Sequence, residues 1–138
     1  MSYRSDLLLL QKFCGQRRGE IVSFDPACVF CKIVEKKIPA TIIHEDDFSL
    51  AFQDLNPQAP IHVLIVPKKH LTDIHSMTTA DREIVGHLFL VAKNIAARKG
   101  LDKNGYRMVI NNGKDAGQTV FHLHLHLLAG RTFSWPPG

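Results

Sequence analysis

The run FHLHLHLLAG, Phe121 to Gly130, sets histidine at 122, 124 and 126 and leucine at 123, 125 and 127. Strict alternation is the period of an extended strand, in which residues i, i+2 and i+4 share a face. Read as a strand, TVFHLHLHLL turns Leu123, Leu125 and Leu127 toward a core, and lines a second surface with His122, His124 and His126. Upstream, the loop NNGKDAGQ separates this run from a further strand, GYRMVIN. IHVLIVP is a near-continuous β-branched run closed by Pro67, as expected of a central strand. TIIHED and FSLAFQDL read as two short strands joined around Asp46 and Asp47.

Two segments have helical spacing instead. In TTADREIVGHLFLVAKNIAARKG, Thr78 and Asp81 form a capping box and Ile84, Leu88, Val91 and Ile95 give a core stripe. Gly100 ends this one long helix. In CVFCKIVEKKIPA, Phe30, Ile33 and Val34 share a helical face opposite lysines, and Pro39 is expected to stop the short helix. The prolines of RTFSWPPG exclude helix and central strand. This order makes an antiparallel-rich α+β domain over residues 27–138, preceded by an N-terminal extension, 1–26, expected to be poorly ordered.

The chain's 138 residues suffice for one domain with a core, and 45% hydrophobic with 22% charged residues is ordinary globular composition. No apolar run approaches the ~20 residues that span a bilayer. The net charge of +4 suits an anionic ligand, but Lys and Arg are too dispersed for a nucleic-acid groove. Three cysteines, Cys14, Cys28 and Cys31, are too few and too odd for a disulfide framework, so a reducing compartment is expected. That makes the cytoplasm, with the nucleus also open, the expected location. Arg4, Lys12, Arg17 and Arg18 keep a mitochondrial transit peptide as the lesser reading, against which Asp6 and Glu20 argue.

Three alternating histidines cannot easily share one metal ion. At ~3.3 Å per residue, His122 and His126 lie about 13 Å apart along a strand, whereas tetrahedral zinc ligands approach within about 3.4 Å. Catalysis suits them better. A neutral imidazole is a nucleophile toward phosphorus, and neighbouring rings can stabilise phosphoryl charge or protonate a leaving group. The middle residue, His124, is best placed for attack.

The run His122-Leu-His124-Leu-His126-Leu-Leu resembles the histidine-triad motif, His-φ-His-φ-His-φ-φ with φ apolar. AFQDLNPQAPIHVLIVPKKH, GYRMVINNGKDAGQTVFHLHLH and the terminal WPPG extend the resemblance to the Hint branch of that superfamily. It implies a five-stranded antiparallel sheet with one long and one short helix. Two copies would pair through the long helix and GYRMVIN into one continuous sheet, with Trp135 reaching toward the partner's site. It implies an enzyme that cleaves adenosine 5′-phosphoramidates of the aminoacyl or lysyl type to AMP and amine. The route is a nucleotidyl-histidine intermediate, with no cofactor needed for the chemistry. By position His124 matches the nucleophile, His126 and His62 the assisting histidines, and His122 the supporting first member. Asp54 matches the ribose acceptor, while Phe52 and Leu55 fall where the base packs and Leu125 lies within the triad. Asn111 and the Gly117-Gln118-Thr119 turn match the residues around the α-phosphate. These assignments are chemically apt: a carboxylate can take a diol, glycine allows close backbone approach, and the Thr119 hydroxyl could relay a proton.

Some relatives with cysteines at these positions complete a structural zinc site, which here would use Cys28, Cys31, His70 and His122. The sequence departs from the branch in Thr119, where serine is frequent, and Ala129, where glycine is frequent. Ser134 also replaces another polar residue, and none of the three removes a catalytic group. Two other activities fit the motif: a dinucleoside polyphosphate hydrolase, and a nucleotide-binding interaction protein whose catalysis is incidental. Neither a nucleic-acid nor a membrane partner is expected.

Overall fold

The computed structural model describes residues 24–138. Cys14, the basic residues discussed as a transit signal, and the rest of 1–23 lie outside the described residues. Packing begins before residue 27: Phe24 lies against the core and the Asp25 N–H donates to Cys31 Sγ at 3.3 Å.

The elements are α1 (Val29–Val34), β1 (Ile42–Glu45), β2 (Ser49–Gln53), β3 (Ile61–Pro67), α2 (Arg82–Arg98), β4 (Arg107–Val109) and β5 (Leu125–Ala129). All strand pairs are antiparallel, in the order β1-β2-β3-β5-β4, so β3 is central as its composition predicts. The residues of the sheet alternate between two cores. Ala51, Val63, Ile65, Leu123, Leu125 and Leu127 pack with Leu88, Val91 and Ile95 of α2. Leu50, Phe52, Leu64 and Val66 face the other way, onto Phe30, Cys31 and Ile33 of α1. The histidine side of the sheet is therefore partly roofed by α1.

Three boundaries differ from expectation. α1 ends at Val34, short of Pro39, because the chain reverses at Lys36 (φ 62°) and Lys37 N–H bonds back to the Lys32 carbonyl at 2.8 Å. The Thr78–Asp81 box is present, but it caps a 3-10 turn, Thr79–Asp81, that leads into α2. GYRMVIN and TVFHLHLHLL contribute only Arg107–Val109 and Leu125–Ala129 to the ladder. For the second, the cause is its partner strand. Ile65 pairs with Leu125, so the next rungs would need Pro67, which has no N–H to donate. The Leu123 N–H bonds to the Leu71 carbonyl at 2.6 Å instead.

At the other end of β5, Gly130 has φ +97°, and a Cβ there would lie 2.8 Å from Pro60 Cβ. This close approach seats the loop before β3 against the end of β5. Gly130→Ala should cost about 2 kcal/mol or more, from the left-handed conformation and the Pro60 collision. Urea unfolding of the variant against the parent measures it, and an unchanged midpoint would mean the loop is not seated there.

Candidate active site and metal centre

The three triad histidines divide between two clusters. His122, fully buried, turns its Nδ1 to within 3.4 Å of Cys28 Sγ, 3.6 Å of Cys31 Sγ and 3.1 Å of His70 Nδ1. Cys31 Sγ lies 3.2 Å from His70 Nδ1, and the four donor atoms lie within 4.8 Å of one another. In a tetrahedron with bonds of ~2.0–2.3 Å, nitrogen pairs stand about 3.3 Å apart and nitrogen–sulfur pairs about 3.6 Å. The set matches those separations. His122 Nε2 donates to the Pro67 carbonyl at 2.8 Å, so a neutral His122 keeps its proton there and presents a bare lone pair at Nδ1. Burial pushes the Cys31 thiol up to about 12, although the Asp25 N–H lowers it. A bound cation is what would make it a thiolate at neutral pH. Donor type, spacing and tautomer all fit a metal ion.

His124 is buried with its ring edge-on to Phe30, centroids 5.1 Å apart. Its Nδ1–H donates to the His122 carbonyl at 2.6 Å. A carbonyl can only accept, so the proton is on Nδ1 and Nε2 carries a free lone pair. No described residue engages that Nε2, and among the described residues no unpartnered side-chain nitrogen is sealed from solvent. Such a nitrogen is placed to act as a nucleophile.

Beside it, His62 Nε2 lies 2.9 Å from His126 Nδ1 and 3.3 Å from Asp54 Oδ2. The ligand atoms of Asp54, His62 and His126 are also close enough for an ion. The tautomer opposes one. The backbone N–H of Gln58 donates to His62 Nδ1 at 3.0 Å, which puts the His62 proton on Nε2, between His126 and Asp54. His126 Nδ1 accepts that proton's hydrogen bond, leaving the His126 proton on Nε2, which has no hydrogen-bond partner among the described residues. The cluster is a chain of N–H donors.

Burial is the main cause of every histidine shift here. It lowers His126 and His122 to about 4, His126 being lowered further by His124 and His62, while the Pro67 carbonyl pulls His122 back up. His124 and His62 are lowered as well, burial again outweighing Asp54 and, for His124, its carbonyl bond. All four rings are neutral near pH 7.

The other expected residues have distinct settings. Asp54 is half-buried, with Oδ1 accepting the Asn56 N–H at 2.8 Å. Phe52 is buried against Phe30, centroids 5.4 Å apart, so it forms a wall's interior and not open surface. Leu55 and Trp135 stand out, 91% and 81% exposed. Gly117 is left-handed at φ 93°, and Thr119 is exposed beside it. Half-buried Asn111 has no side-chain hydrogen bond among the described residues. The Gln118 side chain is a latch: it accepts from the Gly113 N–H at 2.7 Å and donates to the Thr72 and Val120 carbonyls at 2.9 and 3.2 Å. Residue-type reasoning missed the Gln58 N–H and the Pro67 and His122 carbonyls, because main-chain groups leave no mark in composition.

A family model described as "HIT domain" matches residues 35–133. An uncharacterised HIT-like protein of Synechocystis is 56% identical over 110 residues, 80% of this chain and 96% of that one. The crystal structure of a HIT family hydrolase from Legionella pneumophila superposes with a TM-score of 0.79 at 49% identity, covering 80% of this chain and 99% of its own. A histidine triad nucleotide-binding protein from Candida albicans gives a TM-score of 0.70 at 33% identity, over 80% and 83% of the two chains.

Two outcomes follow from the geometry. Purified protein should hold about one divalent transition-metal ion per chain by atomic spectroscopy. Cys31→Ser should lose most of it and melt lower. Equal metal content in both proteins would refute the ligand set. Separately, a histidine that is 6.5 when free and about 4 when folded binds protons first in the unfolded chain. His126 therefore contributes fully above about 6.5, and its contribution is lost as pH falls from there toward 4. The urea unfolding midpoint should fall as pH drops across that window in the parent, and less so in His126→Gln.

Proposed function

This chain belongs to the HIT domain family, and from that membership we propose that it is a nucleotide hydrolase acting on adenosine 5′-phosphoramidates. The observation that carries the reading is the bare Nε2 of His124, whose other nitrogen is fixed by the His122 carbonyl at 2.6 Å. The names of the Legionella and Candida relatives support hydrolysis and nucleotide binding as the class of activity.

In this reading His124 Nε2 bonds to phosphorus as the bond from phosphorus to the amine breaks. The departing nitrogen takes a proton through the Thr119 hydroxyl, which regains one from water. That water, now hydroxide, then attacks phosphorus as the bond to His124 Nε2 breaks, releasing AMP and restoring His124. His126, neutral, donates its Nε2–H to a phosphoryl oxygen, stabilising charge by hydrogen bonding and not by giving up a proton. Asp54 accepts the ribose hydroxyls, Leu55 covers the base over the buried Phe52, and the 113–119 loop offers backbone N–H groups to the phosphate. Gln118 holds that loop's shape from within.

The Cys28, Cys31, His70 and His122 set holds zinc, chosen by its two thiols and two imidazoles. The ion braces α1 against the histidine run and takes no part in the reaction. The active form is a homodimer. β4 is an edge strand with Met108 36% exposed, and α2 shows Phe89 and Leu90 at 40% and 60%, an apolar set of the kind a partner copy covers.

The test is quenched mass spectrometry with adenosine 5′-phosphoramidate. The parent should form an adenylyl adduct mapping to His124. His124→Ala should form none, with AMP release down about 10⁴-fold or more. Asp54→Ala should raise KM about tenfold or more with less effect on kcat, since it loses hydrogen bonds to a charged acceptor. Full turnover by His124→Ala would end the proposal.

A further inference from the structure

The proton that organises the donor chain is held from an unexpected distance. His62 keeps its proton on Nε2 because its Nδ1 accepts from the Gln58 N–H at 3.0 Å, a tautomer that the Asp54 carboxylate 3.3 Å from Nε2 also favours. Gln58 lies in the loop before β3, outside any strand, so something must fix its main chain. Two contacts do so, both from the segment after β5. Arg131 Nε donates to the Gln58 carbonyl at 3.1 Å, and Pro60 fits against the bare Cα of Gly130. Arg131 is in turn immobilised. Its guanidinium stacks 4.2 Å over the Phe133 ring, and its NH1 donates to the Thr132 carbonyl at 3.1 Å. Arg107 lies over the same ring at 5.1 Å and binds the Ser134 carbonyl at 2.9 Å, fastening the segment to β4.

We propose that Arg131 is a positioning residue for the active site, clamping Gln58 so that its N–H sets the tautomer of His62 and, through it, of His126. This rests on the reading of the site as one that binds a phosphoryl group. The chemistry is one of donor placement. With Gln58 in place, His62 Nε2–H points at His126 Nδ1, 2.9 Å away, and the His126 proton must sit on Nε2. If the Gln58 N–H moves off, His62 can carry its proton on Nδ1 and show a lone pair to His126. His126 then protonates Nδ1 to satisfy it, and turns a bare Nε2 toward the phosphoryl oxygens. A donor becomes an acceptor facing negative charge, with no catalytic side chain altered. The same contact keeps His62 from becoming an imidazolium, because a proton on Nδ1 would meet the Gln58 N–H head-on.

Side-chain ¹⁵N NMR distinguishes the two tautomers directly and needs no substrate. The parent should show His62 protonated at Nε2. In Arg131→Met, which keeps length and apolar stacking but has no donor, His62 should shift toward the Nδ1–H form. Its kcat on adenosine 5′-phosphoramidate should fall between about tenfold and about a hundredfold, with KM within about twofold. Arg131→Lys, which restores one donor, should recover part of both effects. An unchanged His124 Nδ1–H signal in each variant certifies the fold, and if the methionine variant fails that check the lysine variant alone carries the comparison. An Nδ1–H His62 in the parent overturns the proposal. So does an unaltered tautomer in a folded Arg131 variant, or a shifted tautomer with unaltered kcat. A parent that does not turn over the phosphoramidate counts against the proposed reaction, while the substrate-free spectrum still decides whether Arg131 sets the tautomer.

Discussion

Pro67 closes the central strand without offering an N–H, and much of the site follows from that one missing donor. The ladder between β3 and the histidine run cannot extend past Leu125, so residues 121–124 are released from the sheet. The Leu123 N–H finds the Leu71 carbonyl, and Pro67's own carbonyl takes the Nε2–H of His122. His122 is thereby turned inward to the cysteines, and its carbonyl becomes the acceptor that orients His124. A run that continued as regular strand would hold three equivalent rings in a row. This one instead gives each ring a different neighbour, and protonates the middle ring at Nδ1 and the two flanking rings at Nε2.

The architecture was legible in the sequence because it depends on periodicity. The leucine alternation and Leu88, Val91 and Ile95 of the helical stripe meet in one core, the 61–67 run divides between both cores, and Ile84 is buried outside the two clusters. Where strands stop was not legible, since the ends of β4 and β5 depend on what the neighbouring strand can donate. The pairing of Cys28 and Cys31 with His70 and His122 followed from resemblance, and the four residues do converge. Phe52 and Gln118, expected to face a nucleotide, have side chains that are respectively buried against Phe30 and bonded to the Gly113 N–H and the Thr72 and Val120 carbonyls. Residue type shows what a side chain can bond, not which partner reaches it first.

The two histidine clusters lie side by side and use the same atoms for opposite purposes. Around His122, lone pairs and thiols converge, an arrangement that is repulsive or proton-bridged without a cation and favourable with one. Around His62, an N–H already fills the space between the rings, and a cation would have to displace it. Ligand spacing alone does not separate these cases. The hydrogen bond on the far side of each ring does.

That the protonation pattern is written by the main chain has a consequence for how such a protein can change over generations. Position 67 supplies a carbonyl to His122 and withholds an N–H from the ladder, two things that proline does together. Position 58 supplies an N–H to His62, so its side chain is free to drift through every amino acid but proline. The neighbourhood of the histidines can thus diverge widely in composition while inheriting one arrangement of protons, provided the path of the backbone is kept.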